Sequence, residues 1–260
     1  APPVAVALAK HPLVNECALS SLRTVFSGAA PLDGIVGGAV AERLDCEVLQ
    51  GYGMPEMSPV SHAMPRSRTD IPLNSVGLTV PNMQCRIVDP LTGVDIEIPT
   101  VGVSEPGELL CRGSNIMVGF LGNDEATRTT LDADGFLHTG DIATVSAEGF
   151  VTVVDRLTEL IKYKGYQVAP AELEALLLGH PQIADAAVIG VIDADGEEVP
   201  KVLLRLQPEA TLTGEDVIIW IAERMAPHKK VRQMEMIDFI PKSASGKILR
   251  KDLRSQGALL

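Results

Sequence analysis

Along the first fifty residues, apolar positions come in short blocks separated by small residues. Val4, Ala7 and Leu8 share one helical face, and His11-Pro12 stops that helix, since proline cannot continue the helical ladder. Leu22 to Phe26 predicts a short strand, Ser27 to Leu32 a small-residue turn, Asp33 to Leu44 a helix and Glu47 to Gln50 a second strand. Strand, small-residue loop and helix in succession is an α/β pattern. From Gly77 to Val154 the texture changes. Strand-like runs at Gln84 to Val88, Gly107 to Cys111, Ile142 to Val145 and Phe150 to Val154 alternate with Gly and Pro turns, and only Asp124 to Leu131 reads as helix. That predicts a small, mostly β subdomain.

Beyond Arg156 the pattern changes again. Pro170 to Leu178 is a helix with proline in its first turn and Glu172 and Glu174 near its positive end. Ile183 to Ile192 and Val199 to Leu206 are strands, with Asp195-Gly196 as the hairpin turn between them. Thr213 to Met225 is an amphipathic helix in which Thr213 and Asp216 form a capping box. Glu235 to Phe239 is a strand and Ile248 to Arg254 a closing helix. This last part is α+β.

Composition narrows the function classes. The 260 residues are 46% hydrophobic and 22% charged, with only 3% aromatics, so the core is built from Val, Ile, Leu and Ala. A formal net charge of −12 argues against nucleic-acid or anionic-membrane binding. Basic residues nevertheless cluster at Lys229, Lys230 and Arg232 and from Lys242 to Lys251, a patch suited to a small polyanion or to a solvated helix face. Cys17, Cys46, Cys85 and Cys111 lie far apart without C-x-x-C spacing. That predicts neither a disulfide framework nor a zinc site, and a reducing, cytoplasmic setting. No apolar run approaches the ~20 residues of a membrane-spanning helix. The chain begins without Met inside a helical pattern, which predicts that it is part of a longer protein.

Pro241 to Lys247 resembles a P-loop superficially, but no Gly stands five residues before Gly246, and Ile248 replaces the magnesium-binding Ser or Thr. What remains is a small-residue loop carrying Lys247. In His138-Thr139-Gly140-Asp141, no placed nucleophile supports a catalytic dyad, so His138 reads as structural. Asp141 offers two acceptor oxygens, suited to a ribose diol, and Arg156 could share that diol. Glu56 is a candidate magnesium ligand, because magnesium takes one or two carboxylates together with phosphate oxygens.

Taken together and in order, S-G-A-A-P-L, Q-G-Y-G-M, G-E-L-L-C-R-G, H-T-G-D, the run from Val154 to Glu174 and P-K-S-A-S-G-K-I-L-R-K-D-L resemble the adenylate-forming enzymes. That superfamily contains acyl-CoA synthetases, peptide-synthetase adenylation domains and firefly luciferase. The likeness is strongest to 4-coumarate–CoA ligase-like and fatty-acyl-CoA ligases, and it covers about the C-terminal half of a member. It implies a mixed α/β and α+β chain: a partial α/β subdomain of the large AMP-binding domain at 1–76, a β-rich, barrel-like subdomain at 77–154, a hinge at 155–158 and a mobile α+β domain at 159–260. It further implies that Ala30, Pro31 and Tyr52 sandwich adenine, with Gln50, Gly51 and Gly53 beside the nucleotide. Asp141 and Arg156 would hold ribose, and Glu56 would stand near Mg2+. Ala29, Gly53, Pro59 and Val60 would line the acyl pocket. Lys247 would bridge carboxylate and α-phosphate, while Lys162, Lys164, Gly165 and Gln167 would form the face used for thioester formation.

The implied reaction is ATP-dependent activation of an aryl or fatty carboxylic acid as an acyl-adenylate, followed by transfer to coenzyme A. A preorganised cation lowers the barrier to bringing carboxylate and phosphate together, and the two half-reactions need different faces of a small domain. Three departures stand against that pattern. The family's Ser/Thr/Gly-rich phosphate loop is absent, Pro55 stands where Thr is usual, and Thr158 stands where Lys is usual. Without the phosphate loop the chain alone is expected to be catalytically impaired, and its uncovered surface is expected to favour self-association. A carrier protein as acyl acceptor and a non-catalytic nucleotide-binding remnant are the alternative readings.

Overall fold

The computed structural model describes residues 1–243 and 246–257, without the side chains of 255–257. It forms two compact units, Ala1–Val154 and Asp155–Leu260.

In the first unit, α1 (Pro2–Lys10) is followed by β1 (Thr24–Ser27), α2 (Gly34–Leu44) and β2 (Glu47–Gly53). Helix α2 starts where the Asp33 carboxylate accepts hydrogen bonds from the amides of Ile35 and Val36, a cap that contributes about 1 kcal/mol. It carries the chain from β1 to the parallel strand β2. Val40 and Val48 then pack with Leu32 and Ala5 into one core. The Arg43 guanidinium fastens α1 to this layer by donating to the carbonyls of Leu8, Ala9 and His11. Strand β2 runs three residues past Gln50, because β3 (Val60–Ala63) pairs antiparallel with its second half, Tyr52 facing His62. The two-residue β4 (Leu78–Thr79) completes the sheet in the order β1-β2-β3-β4.

A second sheet follows: β5 (Met83–Val88), β6 (Gly107–Gly113), β7 (Leu137–Val145) and β8 (Val151–Arg156), with α3 (Asp124–Thr130) inserted between β6 and β7. The order β5-β6-β7-β8 is that of an open sheet, and among the described residues this β-rich subdomain does not close into a barrel. The outer edge of β8 is already taken. Val151 exchanges backbone hydrogen bonds with Val76 and Gly77, and its carbonyl also accepts from the Ser75 hydroxyl at 2.6 Å. Leu109, Cys111, Leu137, Ala143 and Val151 form the buried face together with Met57.

The second unit opens with a tight hairpin, β9 (Ile161–Tyr163) and β10 (Tyr166–Val168), then α4 (Pro170–Leu178). Strands β11 (Ile183–Ile192) and β12 (Glu198–Leu206) pair antiparallel. After α5 (Gly214–Ala222), β13 (Gln233–Met236) joins β12 in parallel, and α6 (Arg250–Gly257) closes the described chain. Strand β13 begins two residues earlier than its apolar pattern predicts, since Gln233 pairs with Lys201. The capping box of Thr213 and Asp216 is present at the start of α5. The pleat of β11 sends Ala186 and Val188 into the core shared with α4 and α5, and Ala187 and Ile189 into the core shared with Leu253 of α6. Both faces of this strand are therefore covered.

Candidate functional site

In the first unit, Ala29, Ala30 and Pro31 occupy the loop between β1 and α2. Ala29 has φ of 70°, a left-handed conformation that costs a non-glycine residue about 1 kcal/mol or more. Gln50 holds this loop in place. Its side-chain oxygen accepts from the Leu32 amide at 3.0 Å, and its nitrogen donates to the Leu32 carbonyl at 3.0 Å and to the Leu73 carbonyl. Buried at the end of a parallel strand, the amide is fully occupied by backbone. Gln50, expected beside the nucleotide, thus fixes the small-residue loop next to it.

Two positions further along β2, the Tyr52 hydroxyl donates to Asp141 Oδ2 at 2.6 Å. Asp141 is buried within β7, and its placement rests on a bulge. The Thr139 hydroxyl donates to the Leu109 carbonyl at 2.6 Å and accepts from the Asp141 amide at 3.0 Å. Gly140 adopts φ of 67° and donates its amide to Glu108 Oε1 at 3.1 Å, while Glu108 Oε2 lies 3.0 Å from His138 Nδ1. His138 accordingly belongs to the scaffold of the turn. Burial and the neighbouring Asp141 carboxylate drive the Tyr52 phenol far above its ordinary value, so it stays a donor. A buried carboxylate held beside an aromatic hydroxyl can bind a diol while the ring stacks on a planar group.

Glu56 lies in a single 3-10 turn, Pro55–Met57, with a half-buried side chain. Among the described residues no group of three or more His, Cys, Asp or Glu could by itself hold a metal ion. The donor set fits a magnesium ion that takes one protein carboxylate and completes its shell with phosphate oxygens and water. Pro59 and Val60 follow after Ser58, both exposed. The end of β2 folds tightly against them, because a Cβ on Gly53 would come 1.8 Å from the Pro59 carbonyl oxygen.

In the second unit, Lys162 and Gln167 face each other across the hairpin, joined by Lys164 and Gly165 with φ of 48° and 83°. Two consecutive positive φ values are the mark of a tight turn matched to strand twist. The Lys162 amide donates to Glu198 Oε2 at 2.8 Å, and the residue itself is exposed. Tyr163 lies under the Arg232 guanidinium at 5.3 Å, and Tyr166 stacks on His228 at 4.5 Å. Lys247 is exposed on the loop before α6, and Ala244 and Ser245 of that loop lie outside the described residues. The loop is anchored at both ends. Lys242 Nζ pairs with Asp185 at 2.7 Å, and Arg250 Nη2 meets both oxygens of the buried Glu174 at 2.7 and 2.8 Å. Burial pushes the Glu174 carboxyl up to about 7 despite Arg250.

Arg156, at the exposed end of β8, follows Asp155, whose carboxylate accepts from the Arg156 amide at 2.7 Å and the Ala171 amide at 2.9 Å. Asp155 thus serves the N-terminus of α4 from outside the helix. Residues 157–159 form a 3-10 turn in which Glu159 pairs with Arg254 at 2.8 Å.

Sequence reasoning missed Glu108 as a working residue, and it read Asp155 only as part of the hinge and Glu174 only as a residue near the positive end of its helix. For Glu108 a signal existed: it is an acidic residue inside the otherwise apolar strand Gly107 to Cys111.

Two family models, AMP-binding enzyme and AMP-binding enzyme C-terminal domain, match residues 1–121 and 172–247. A 4-coumarate–CoA ligase of Solanum tuberosum is 44% identical over 98% of this chain and 47% of its own length. One of Narcissus pseudonarcissus is 45% identical over 99% of this chain and 45% of its own length. The chain therefore spans about half the length of the curated relatives it matches. Among solved structures, an anthranilate CoA ligase, AuaEII, in complex with anthranoyl-AMP superposes with a TM-score of 0.84 at 30% identity, over 98% of this chain and 49% of that one. The amide bond synthetase McbA of Marinactinospora thermotolerans superposes with a TM-score of 0.86 at 28% identity, over 98% of this chain and 51% of that one.

Proposed function

Because the chain belongs to the AMP-binding, adenylate-forming enzymes, we propose that its chemistry is that of a carboxylate–CoA ligase. A small aryl or fatty carboxylic acid is joined to the α-phosphorus of ATP, and the acyl group then passes to the thiol of coenzyme A. The observation that carries this reading is the buried Asp141 carboxylate held by Tyr52 beside the small-residue loop at Ala30-Pro31.

In this reading the backbone of Ala30 and Pro31 and the ring of Tyr52 embrace adenine, with Gly51 and Gly53 allowing close approach. Gln50 keeps that loop in register. Asp141 accepts from the ribose hydroxyls, and Arg156 supplies a donor for the same diol. Glu56 would hold magnesium, which supplies charge neutralisation on the phosphates when bound. Lys247 brings an ammonium to the carboxylate and α-phosphate, where a point charge lowers the repulsion between two anions. Ala29, Pro59 and Val60 line the acyl group. The thioester step uses the other face of the second unit, where Lys162, Lys164, Gly165 and Gln167 lie on one hairpin, with residues 155–158 as the connection that changes between steps.

No described helix is long and apolar enough to cross a membrane. The four free cysteines support a reducing cytoplasmic setting.

The test is calorimetric titration of the chain with AMP, together with hydroxylamine trapping of acyl-adenylate in the presence and absence of CoA. AMP binding that falls at least tenfold in Asp141→Asn is expected. Unchanged AMP affinity in that variant would remove the ribose assignment. Trapping that depends on a carrier protein and ignores CoA would move the acyl acceptor.

A further inference from the structure

We propose that Asn115 is a positioning residue that sets the acyl-lining segment, so that it governs affinity for the acyl group and leaves nucleotide affinity unchanged. The inference rests on the reading that Pro59 and Val60 line the acyl pocket.

The segment Glu56–Val60 leaves β2 through a 3-10 turn, passes through a left-handed residue at Ser58 with φ of 45°, and re-enters the sheet at β3. Such a short reversal exposes carbonyls that no strand satisfies. They are met from the stretch following β6. Asn115 Nδ2 donates to the Met57 carbonyl at 2.5 Å and to the Val60 carbonyl at 3.2 Å, and the Met117 amide donates to the Glu56 carbonyl at 2.9 Å.

One amide nitrogen thus bridges two carbonyls three residues apart, with Ser58 and Pro59 between them. A side-chain amide does this because both its N–H groups sit on one nitrogen. Space for it is reserved, since a Cβ on Gly113 would come 2.9 Å from Asn115 Oδ1. On its other side the segment is fixed by Gly53, against which the Pro59 carbonyl packs. Met57 is fully buried, and Ile116 and Met117 pack on its cluster, so the clasp rests on a packed core. Pro59 and Val60 themselves are exposed. The clasp therefore controls where these two residues stand without forming part of the Tyr52–Asp141 pair.

The experiment uses the whole chain and two kinds of probe: AMP, and 5′-O-(N-acylsulfamoyl)adenosines carrying cinnamoyl or hexanoyl tails. Binding is read by calorimetry for the wild type, Asn115→Ala, Asn115→Asp and Asn115→Gln. The wild type is expected to bind at least one acyl probe tighter than AMP. In Asn115→Ala and Asn115→Asp that preference falls tenfold or more while AMP affinity stays within twofold. Asn115→Gln, which keeps both N–H groups, retains the preference within threefold.

The proposal is overturned if the preference survives in the Ala and Asp variants, or if AMP and acyl probes weaken in the same proportion. Failure of both variants to fold also overturns it, because the residue would then serve stability alone. A wild type that binds AMP but shows no acyl preference sinks this proposal and leaves the nucleotide site intact. A wild type that binds neither probe removes the functional reading beneath it.

Discussion

Glu174 offers a prediction in which the sign of a pH dependence separates two opposing forces. Its carboxylate faces Arg250 at 2.7 and 2.8 Å, accepts the Val188 amide at 2.8 Å and feels Asp155 as a like charge. The ion pair favours the charged form, whereas burial of the side chain between α4, β11 and α6 disfavours it. Burial is the larger effect, and the folded-state value rises from 4.5 to about 7. A carboxyl whose folded value is raised contributes stability that is fully present below the unfolded value and lost as pH climbs through the folded one. The gap between 4.5 and about 7 corresponds to about 3 kcal/mol. Glu174→Gln imitates the protonated acid, retaining the acceptor for Val188 and a neutral group against Arg250. Wild type and variant should match at pH 4.5, and the variant should become more stable by up to about 3 kcal/mol near pH 8. Urea unfolding followed by fluorescence of Trp220, the single tryptophan, reports on the unit that contains both residues. A variant less stable than wild type at pH 8, with the difference widening as pH rises, would refute the reasoning. Arg250 would then outweigh burial.

The first unit should respond to acid in the opposite sense. His62 is fully buried between Ser61 and Thr79, and burial lowers it from 6.5 to about 4, so its neutral form stabilises the fold above pH 6.5 and that contribution disappears as pH falls through about 4. Calorimetric scans from pH 7 to 4 should show an acid-dependent loss of about 3 kcal/mol that His62→Gln removes. Gly165→Ala meets no steric neighbour but must adopt φ of 83°, so it should weaken the β9–β10 hairpin by about 1–2 kcal/mol, read as faster amide exchange at Gln167. Cys17 is exposed, whereas burial pushes the Cys111 thiol up to about 12, so an aromatic disulfide reagent should titrate Cys17 at once and Cys111 only on unfolding. Equal rates at the two cysteines would contradict the packing around β6.

The parts of the fold legible in the sequence are those fixed within a few residues of chain. Asp33 before α2, the Thr213–Asp216 box before α5 and Pro170 at the start of α4 each mark a helix end by a local hydrogen bond or a fixed φ. The largely apolar run Ile183 to Ile192, broken only by Asp185 and Gly190, reads as a strand because both of its faces are covered. Strands β3, β4, β9 and β10 were not legible. They are two to four residues long, and their partners are chosen by pairing across the sheet. The β9–β10 turn hides its type because Lys164 takes the positive φ usually left to Asn, Asp or Gly. The partner of β8's outer edge was hidden for a similar reason: residues 75–77 take that edge without any strand pattern of their own.

The candidate site divides along the same physical line. Residues proposed to face a ligand, such as Asp141, Lys164 and Lys247, stand out in the sequence because each is a charged group directly beside a glycine. Residues that hold those groups in place do not stand out, because their partners are backbone atoms elsewhere in the chain. Gln50 reads as a strand-end polar residue beside a ligand, yet its donors end on Leu32 and Leu73, 18 and 23 residues away. Glu174 reads as a helix-dipole residue, yet it meets Arg250 across 76 residues. Asn115 carries no signal of its own in the sequence, yet it bridges carbonyls 58 and 55 residues upstream. In each case the same requirement operates: a polar side chain taken out of water must find a partner, and leaving it without one costs about 1–3 kcal/mol. That cost ties these loops to a buried or half-buried amide or carboxylate beneath them. Substitutions at Gln50, Asn115 and Glu174 should therefore alter ligand binding through loop position, a change visible as selective weakening of one ligand group while the remainder binds as before.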